Sequence, residues 1–295
     1  MKAHGNFNLF GKYAWYVPGV ADLFILIAML LLGALLGNVA SLVFTAVMGG
    51  PGAMDYAMII SYPLMFIPPM LYAAGRSRRL SLQSAGLALD SRHFAPVGAA
   101  LCALLVVLAT LSGAVMTDAV NSLLPPMPEW LETMLKGMTG GAFWANFLCV
   151  SIFAPFFEEW LCRGMVLRGL LGNGMRPVWA IVVSALFFAL IHLNPWQAVP
   201  AFLLGCLFGF VYYRTGSLLL TMLMHFANNT CALICGHIDS LKDYDNWMQI
   251  LGGRLYAVVF AACAILIVLV ILSLRRIPVQ RPNGSCDEVP ALFNG

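Results

Sequence analysis

Residues 142–171 read AFWANFLCVSIFAPFFEEWLCRGMVLRGLL, an apolar run interrupted by two adjacent glutamates and two arginines. The run is longer than the about 20 residues that an α-helix needs to cross a bilayer. An ionised side chain inside a bilayer is costly, so Glu158 and Glu159 must be paired there or serve a function. The stretch therefore predicts a membrane-spanning helix that carries chemically active groups.

The rest of the chain has the same apolar character. Of its 295 residues, 61% are hydrophobic and only 10% are charged, whereas soluble domains are about one quarter charged. We expect an all-α fold, a polytopic membrane bundle of about eight transmembrane helices. The predicted spans cover residues 20–48, 55–75, 94–117, 142–171, 177–194, 196–214, 217–236 and 254–274.

The lysines and arginines are divided unequally between the two sides of the predicted bundle. With eight spans, thirteen of the sixteen fall on the side that holds both termini. The three on the other side are Lys136, Lys242 and Arg254. Because basic residues accumulate in cytoplasmic loops, we expect the N and C termini to be cytoplasmic.

Polar side chains gather in the fourth to seventh predicted spans, and we expect the first three spans to contribute little beyond Asp22. Glu159 and Arg163 are four residues apart on one helix face, which predicts an ion pair between them. Glu158 points about 140° away from Arg163 and is therefore left free. A carboxylate that is free inside an apolar helix is suited to proton transfer.

Two histidine motifs follow on the next spans. Phe188 and His192 share one helix face, so the phenylalanine ring can form a wall of the same site. His225 and Asn229 are also four residues apart, and both side chains can donate hydrogen bonds. A single histidine in a membrane helix is often only a helix-to-helix hydrogen-bonding residue. Three such elements on nearly consecutive spans predict a shared site.

In these motifs the sequence resembles the CPBP family, the CAAX prenyl endopeptidases and bacteriocin-processing enzymes also called the ABI family. That family shows Glu-Glu-x-x-x-Arg, then Phe-x-x-x-His, then His-x-x-x-Asn. The same motifs stand here in the same order between Glu158 and Asn229, and the resemblance covers about residues 140–236. The resemblance implies an intramembrane glutamate protease that forms no covalent acyl-enzyme.

The resemblance also implies a role for each motif residue. Glu158 and His192 activate the attacking water, while His225 and Asn229 stabilise the negatively charged oxygen of the tetrahedral intermediate. Three further residues are expected to support them: Glu159, Arg163 and Phe188. Hydrolysis of an amide needs a base, a proton source for the leaving amine and donors for the oxyanion, and this set contains all three.

A bound metal is the open alternative in the mechanism, because members of the family are often called metalloproteases. Zinc could be held by Glu158, His192 and His225, which are ligand types that zinc accepts. We expect no cofactor and no catalytic metal, since the His-Glu-x-x-His helix motif is absent and the three candidate ligands lie on separate spans.

The predicted organisation has four parts. Residues 1–139 hold about three N-terminal spans, and residues 140–236 form the CPBP-like catalytic core with spans four to seven. Residues 237–277 contain an extracytoplasmic loop and the last span. Residues 278–295 form a polar cytoplasmic tail.

We expect a multi-pass integral membrane protein of the bacterial plasma membrane whose partners are the lipid bilayer and a membrane-associated peptide or lipidated protein substrate. Substrate entry is expected from the cytoplasmic side. The net charge of +3, with no basic stripe carrying aromatic residues, argues against a nucleic-acid partner. Two other functions are open: a non-catalytic immunity or scaffold protein of the same fold, and a proton-coupled transporter. The oligomeric state is not predicted.

Overall fold

The computed structural model describes residues 10–50, 52–83, 86–139, 141–241, 244, 246–280 and 286–287. The ten helices described in these ranges are α1 (Val20–Met48), α2 (Ala53–Leu80), α3 (Ala99–Asn121), α4 (Glu129–Thr139), α5 (Phe143–Gly172), α6 (Pro177–Leu190), α7 (Pro195–Thr215), α8 (Leu218–His237), α9 (Trp247–Leu251) and α10 (Gly253–Leu274). A 3-10 turn, Gly11–Tyr13, precedes them. The two-residue strands β1 (Val279–Gln280) and β2 (Cys286–Asp287) pair antiparallel after them.

Parts of the predicted organisation fall beyond these ranges. Residues 1–9 of the N-terminal part and residues 281–285 and 288–295 of the predicted tail lie outside the described residues. Three residues of the charge count also do: Lys2, Lys242 and Arg281.

The polytopic all-α architecture is confirmed. Seven helices in the described ranges are long and apolar enough to cross a membrane, namely α1, α2, α3, α5, α7, α8 and α10. The remaining predicted span, residues 177–194, is the shorter helix α6, which has 14 residues and ends at Leu190. It stops early because Leu193 has a φ of 58° and the Asn194 side chain accepts a hydrogen bond from Gln197 N, which begins α7.

Hydrogen bonds between distant segments show that α6 still connects the two ends of the bundle. Just before α6, the Asn173 amide donates to Pro18 O at 3.1 Å. Just after it, the Trp196 indole N–H donates to Pro125 O at 2.8 Å. We call the end at Pro18 the terminus end and the end at Pro125 the loop end. α6 therefore runs from one end of the bundle toward the other, although it is shorter than the seven candidate spans.

Two arginines of the charge count are buried at the terminus end instead of facing lipid headgroups. Arg168 on α5 donates to the carbonyl oxygens of Tyr16 and Leu87. Arg214 on α7 donates to the carbonyl oxygen of Ile277, at the start of the tail. Both arginines are almost completely buried. They attach the segments before α1 and after α10 to the centre of the bundle, so the two described ends of the chain lie at the same end of the fold.

Helix α5 is irregular on both sides of its two glutamates. Its regular segment Ala154–Glu159 lies between π-helical turns at Phe147–Phe153 and Trp160–Leu167. Pro155 has no backbone N–H to donate, so regular hydrogen bonding is interrupted at the first residues of that segment. Turns of this kind are frequent at functional sites because they turn side chains away from their regular direction.

Candidate active site

Glu158 lies in the middle of α5 with one carboxylate oxygen bound and the other open. The Tyr62 hydroxyl on α2 donates a hydrogen bond to Oε1 of Glu158. Oε2 is buried and has no hydrogen-bond partner among the described residues. The nearest cationic candidate is His225 on α8, whose Nε2 is 3.9 Å from Oε2. One oxygen of this carboxylate is thus held in place, and the other is buried without a hydrogen bond among the described residues.

Glu159, the adjacent residue, differs from Glu158 because its carboxylate forms an ion pair within the fold. Its side chain is fully buried, and Arg163 Nη1 donates to its Oε1 at 2.7 Å. The expected ion pair is therefore present. Arg163 also donates from Nη2 to the Gly205 carbonyl on α7 at 3.0 Å, and its guanidinium lies 4.6 Å from the centre of the Phe188 ring. A buried guanidinium needs such partners, because removing it from water without them is costly.

His225 connects the two carboxylates. Its Nδ1 is 3.1 Å from Oε1 of Glu159, and its Nε2 faces Glu158. Because Glu159 is paired with Arg163 as a carboxylate, it accepts a hydrogen bond from Nδ1–H of His225. Nε2 of His225 is then the ring nitrogen that lies beside the Glu158 carboxylate.

Phe188 separates the two histidines of the site. Its ring centre is 5.1 Å from that of His192 and 5.5 Å from that of His225, both in edge-to-face geometry. Glu158 and His192 have no direct hydrogen bond or ion pair in the described part of the chain. The structure therefore brings Glu158 and His225 together directly and places His192 across the phenylalanine ring.

His192 has a defined basic nitrogen. Its Nδ1 is 2.8 Å from the Phe188 carbonyl oxygen. A carbonyl oxygen only accepts hydrogen bonds, so Nδ1 carries the proton and Nε2 is the basic nitrogen of the neutral ring. The residue is partly exposed and is followed directly by the exposed Leu193. Nε2 of His192 can accordingly accept a proton or a hydrogen bond from a water molecule.

Asn229 lies one helical turn beyond His225 on α8. Its amide Nδ2 donates to Val150 O on α5 at 2.9 Å, and its Oδ1 accepts from Asn228 Nδ2 at 3.1 Å. One N–H of the carboxamide is used to fix its orientation. The second N–H remains for an oxygen of a bound ligand.

Tyr62 is a site residue that the sequence interpretation missed. The expectation that the first three spans contribute little is wrong, because the Tyr62 side chain on α2 reaches Glu158. The residue belongs to no motif and is 96 positions away from Glu158. The available signal was a hydroxyl-bearing side chain inside an apolar span and directly before Pro63.

The alternative zinc set consists of Glu158, His192 and His225. Within the described ranges, no three His, Cys, Asp or Glu side chains are grouped so that they could hold a metal ion. The zinc alternative and the expectation of no catalytic metal both stay predictions.

Comparison with known protein families gives one match. Residues 140–231 match the family model described as "Type II CAAX prenyl endopeptidase Rce1-like". The matched residues make up less than half of the chain, and we call them the Rce1-like core. The resemblance to the CPBP family is confirmed for these residues, which are similar to CAAX prenyl endopeptidases, and the chain is an integral membrane protein. No curated protein and no solved structure matches the chain.

The Rce1-like core contains every motif residue of the site. It begins just before α5 and ends within α8, so it includes the two glutamates, the two histidines and Asn229. Tyr62 lies outside the core, on a helix that the family match does not cover. The site is therefore assembled from the core and from at least one residue of the N-terminal helices.

Proposed function

We propose that the protein is an intramembrane endopeptidase that hydrolyses a peptide bond in a membrane-associated peptide. The observation that carries the proposal is the asymmetric Glu158 carboxylate. Tyr62 holds its Oε1, while its Oε2 is buried, unpartnered and beside His225. The match of the surrounding core to CAAX prenyl endopeptidases supports the same activity.

The first step is the attack of water on the substrate carbonyl. Oε2 of Glu158 takes one proton from the water, and His192 Nε2 accepts a hydrogen bond from the other O–H and orients the oxygen. A bond then forms between the water oxygen and the carbonyl carbon, and the carbonyl oxygen becomes negative. General-base catalysis of this type contributes about 100- to 10,000-fold to the rate.

The second step is the breakdown of the tetrahedral intermediate. The imidazolium form of His225 donates from Nε2 to the oxyanion, and Asn229 donates with the N–H that Val150 does not use. The carbon–nitrogen bond then breaks, and Glu158 returns its proton to the leaving amine. No atom of the protein becomes covalently attached to the substrate.

Glu159 and Arg163 act as supporting residues. Their ion pair is buried, and Glu159 fixes the orientation of the His225 ring through Nδ1. Phe188 keeps His192 and His225 apart and covers the guanidinium of Arg163.

The proposed substrate is a lipidated protein or a leader-type peptide. The proposed location is the plasma membrane of a bacterium, with both termini in the cytoplasm. The proposed reaction uses no bound metal.

The test uses purified protein in proteoliposomes and a library of quenched-fluorescent peptides, both lipidated and membrane-proximal. Glu158→Gln and His192→Ala are each expected to reduce kcat by about 1,000-fold, within the range for lost acid–base catalysis. Glu129→Gln is the control for the first change, since Glu129 is exposed at the loop end. His237→Ala is the control for the second, because its Nδ1 contacts the Leu233 carbonyl in the same way, at 2.8 Å.

Cleavage that survives both changes would contradict the proposed mechanism. A wild-type protein that binds peptides of the library and cleaves none would favour the non-catalytic scaffold. Treatment of the wild type with a chelator is expected to leave kcat unchanged, and a loss that added zinc restores would contradict the metal-free reaction.

A further inference from the structure

Among the described residues, the terminus end of the bundle is closely packed between the site and the surface. Between Glu158 and this end, every residue of α5 from Trp160 to Leu170 is buried. This packed segment is about 16 Å long. Tyr13, Leu89 and Leu218 pack against it from three other parts of the chain. Protein interiors packed in this way hold few voids larger than a water molecule, so a peptide cannot reach Glu158 from the terminus end.

On the loop-end side of the site the bundle is open, because α6 is short. Its 14 residues extend about 21 Å, whereas the hydrocarbon core of a bilayer is about 30 Å thick. The helix therefore ends before it reaches the loop-end surface of the bundle. His192 follows directly after this end and is partly exposed, and Leu193 is 85% exposed. The premature end of α6 thus leaves His192 accessible from the loop end.

A cavity of about 640 Å³ lies at the loop end beside this opening. Its walls include Met58 and Val150. Met58 precedes Tyr62 by one helical turn, and the Val150 carbonyl is the acceptor of the Asn229 amide. The cavity therefore extends to the immediate neighbours of two site residues.

The lining of this cavity is suited to a polypeptide. It combines Trp196 and the Pro125–Pro126 turn with side chains that can form hydrogen bonds, among them Asn121 and Gln197. An amide backbone has donors and acceptors to satisfy at each residue, and a hydrocarbon chain has none. The volume of the cavity lies within the range of about 300–1,000 Å³ that is usual for ligand sites.

We infer that the substrate peptide enters from the loop end through this cavity, opposite to the chain termini. This reverses the expectation of entry beside the termini. By the distribution of lysine and arginine, the loop end is extracytoplasmic. The substrate class is then a membrane-anchored peptide, such as a leader or signal segment, whose scissile bond is presented at the extracytoplasmic face. The identity of the substrate rests on the proposed function, whereas the access route does not.

The experiment measures access and cleavage separately. Met58→Cys places a thiol in the cavity wall, and Gln83→Cys places one at an exposed position of the terminus end. Each variant and the wild type are treated with a bulky, charged, membrane-impermeant maleimide in right-side-out and in inverted membrane vesicles. Labelling above the wild-type level is measured first, and cleavage of a leader-type peptide by the purified, reconstituted variant is then compared before and after modification.

If the substrate enters through this cavity, Met58→Cys should be labelled in right-side-out vesicles and Gln83→Cys in inverted vesicles. Modification of Met58→Cys should reduce its cleavage rate at least about tenfold, and modification of Gln83→Cys should leave the rate unchanged. Labelling of both variants from the same side, or unchanged cleavage after modification of Met58→Cys, would contradict substrate entry through the cavity. Labelling of Met58→Cys only in inverted vesicles and of Gln83→Cys only in right-side-out vesicles would contradict a substrate at the extracytoplasmic face. Labelling as predicted with no cleavage by any form would reject the proposed peptidase and retain the access route.

Discussion

The two faces of α5 hold adjacent glutamates in opposite conditions. On one face, Glu159 is fully buried and shares its oxygen between Arg163 and His225. On the other face, Glu158 accepts a hydrogen bond at Oε1, while Oε2 has no hydrogen-bond partner among the described residues and lies 3.9 Å from His225 Nε2. Under the proposed mechanism, the difference means that a carboxylate inside a bilayer supports the fold when its charge is paired there, and can act as a base when one oxygen has no hydrogen bond.

The two faces are coupled through one imidazole ring. His225 contacts the paired carboxylate with Nδ1 and faces the open carboxylate with Nε2. The paired face therefore sets the orientation of a donor that the open face uses. Each substitution below removes one face or the coupling between them.

The largest expected effect is the difference in kcat between substitutions of Glu158 and of Glu159. Glu158→Gln is expected to lower kcat by about 1,000-fold with a smaller loss of thermal stability than Glu159→Gln, because the only ionic contact it weakens is the 3.9 Å approach to His225 that the described residues show. Glu159→Gln is expected to lower thermal stability more, since it leaves the Arg163 guanidinium buried without a counter-charge, and to lower kcat less, since it affects only the orientation of His225. Turnover per folded molecule and the midpoint of thermal unfolding in detergent measure the two effects. Equal losses of turnover in both variants would show that the two faces are not distinct.

The second effect concerns the stability of the paired face. Arg163→Met leaves Glu159 as an uncompensated buried charge and is expected to lower the free energy of unfolding by about 3–5 kcal/mol. The double variant Glu159→Met/Arg163→Met replaces the ion pair with apolar side chains and should recover most of that loss. Denaturant titration in micelles measures both. A double variant no more stable than the single one would mean that the Gly205 hydrogen bond or the contact with the Phe188 ring, rather than charge pairing, stabilises this face.

The third effect tests the donors that serve the open face. Asn229→Ala removes one oxyanion donor and is expected to lower kcat by about 100- to 1,000-fold with little change in KM. Thr230→Val is the matched control, because the neighbouring Thr230 hydroxyl is buried without a hydrogen-bond partner among the described residues. Kinetic measurement of the two variants against one peptide makes the comparison. A loss carried mainly by KM in Asn229→Ala would assign this side chain to substrate binding instead.

Local sequence patterns predicted the helices and the pairs that lie on one helix. The spacing of Glu159 and Arg163 was sufficient for their ion pair, since residues four apart on a helix share a face whatever surrounds them. Hydropathy placed the long helices within a few residues of their observed bounds. The end of α6 at Leu190 was not predicted, because the apolar run continues to residue 193 and only the backbone at Leu193 departs from the helix.

Contacts between distant segments were beyond reach of these patterns. Arg168 and Arg214 were counted among the thirteen basic residues on the side of the termini, yet they are buried against backbone carbonyl groups of the segments before α1 and after α10. The bond from Tyr62 to Glu158 joins helices that no spacing rule relates. Such contacts depend on how the helices pack, and one sequence contains no direct record of that packing.

The smallest effect measures the contribution of Tyr62 to the open face. Tyr62→Phe removes the donor to Oε1 of Glu158 and keeps the ring that lies 5.8 Å from Phe66, so the fold should be retained. A hydrogen bond to a charged group is worth about 1.5–3 kcal/mol, and water in the site can replace part of it, so we expect kcat to fall about tenfold. Tyr56→Phe on the exposed side of the same helix is the control. A loss carried mainly by KM would mean that Tyr62 contacts the substrate rather than positions the base.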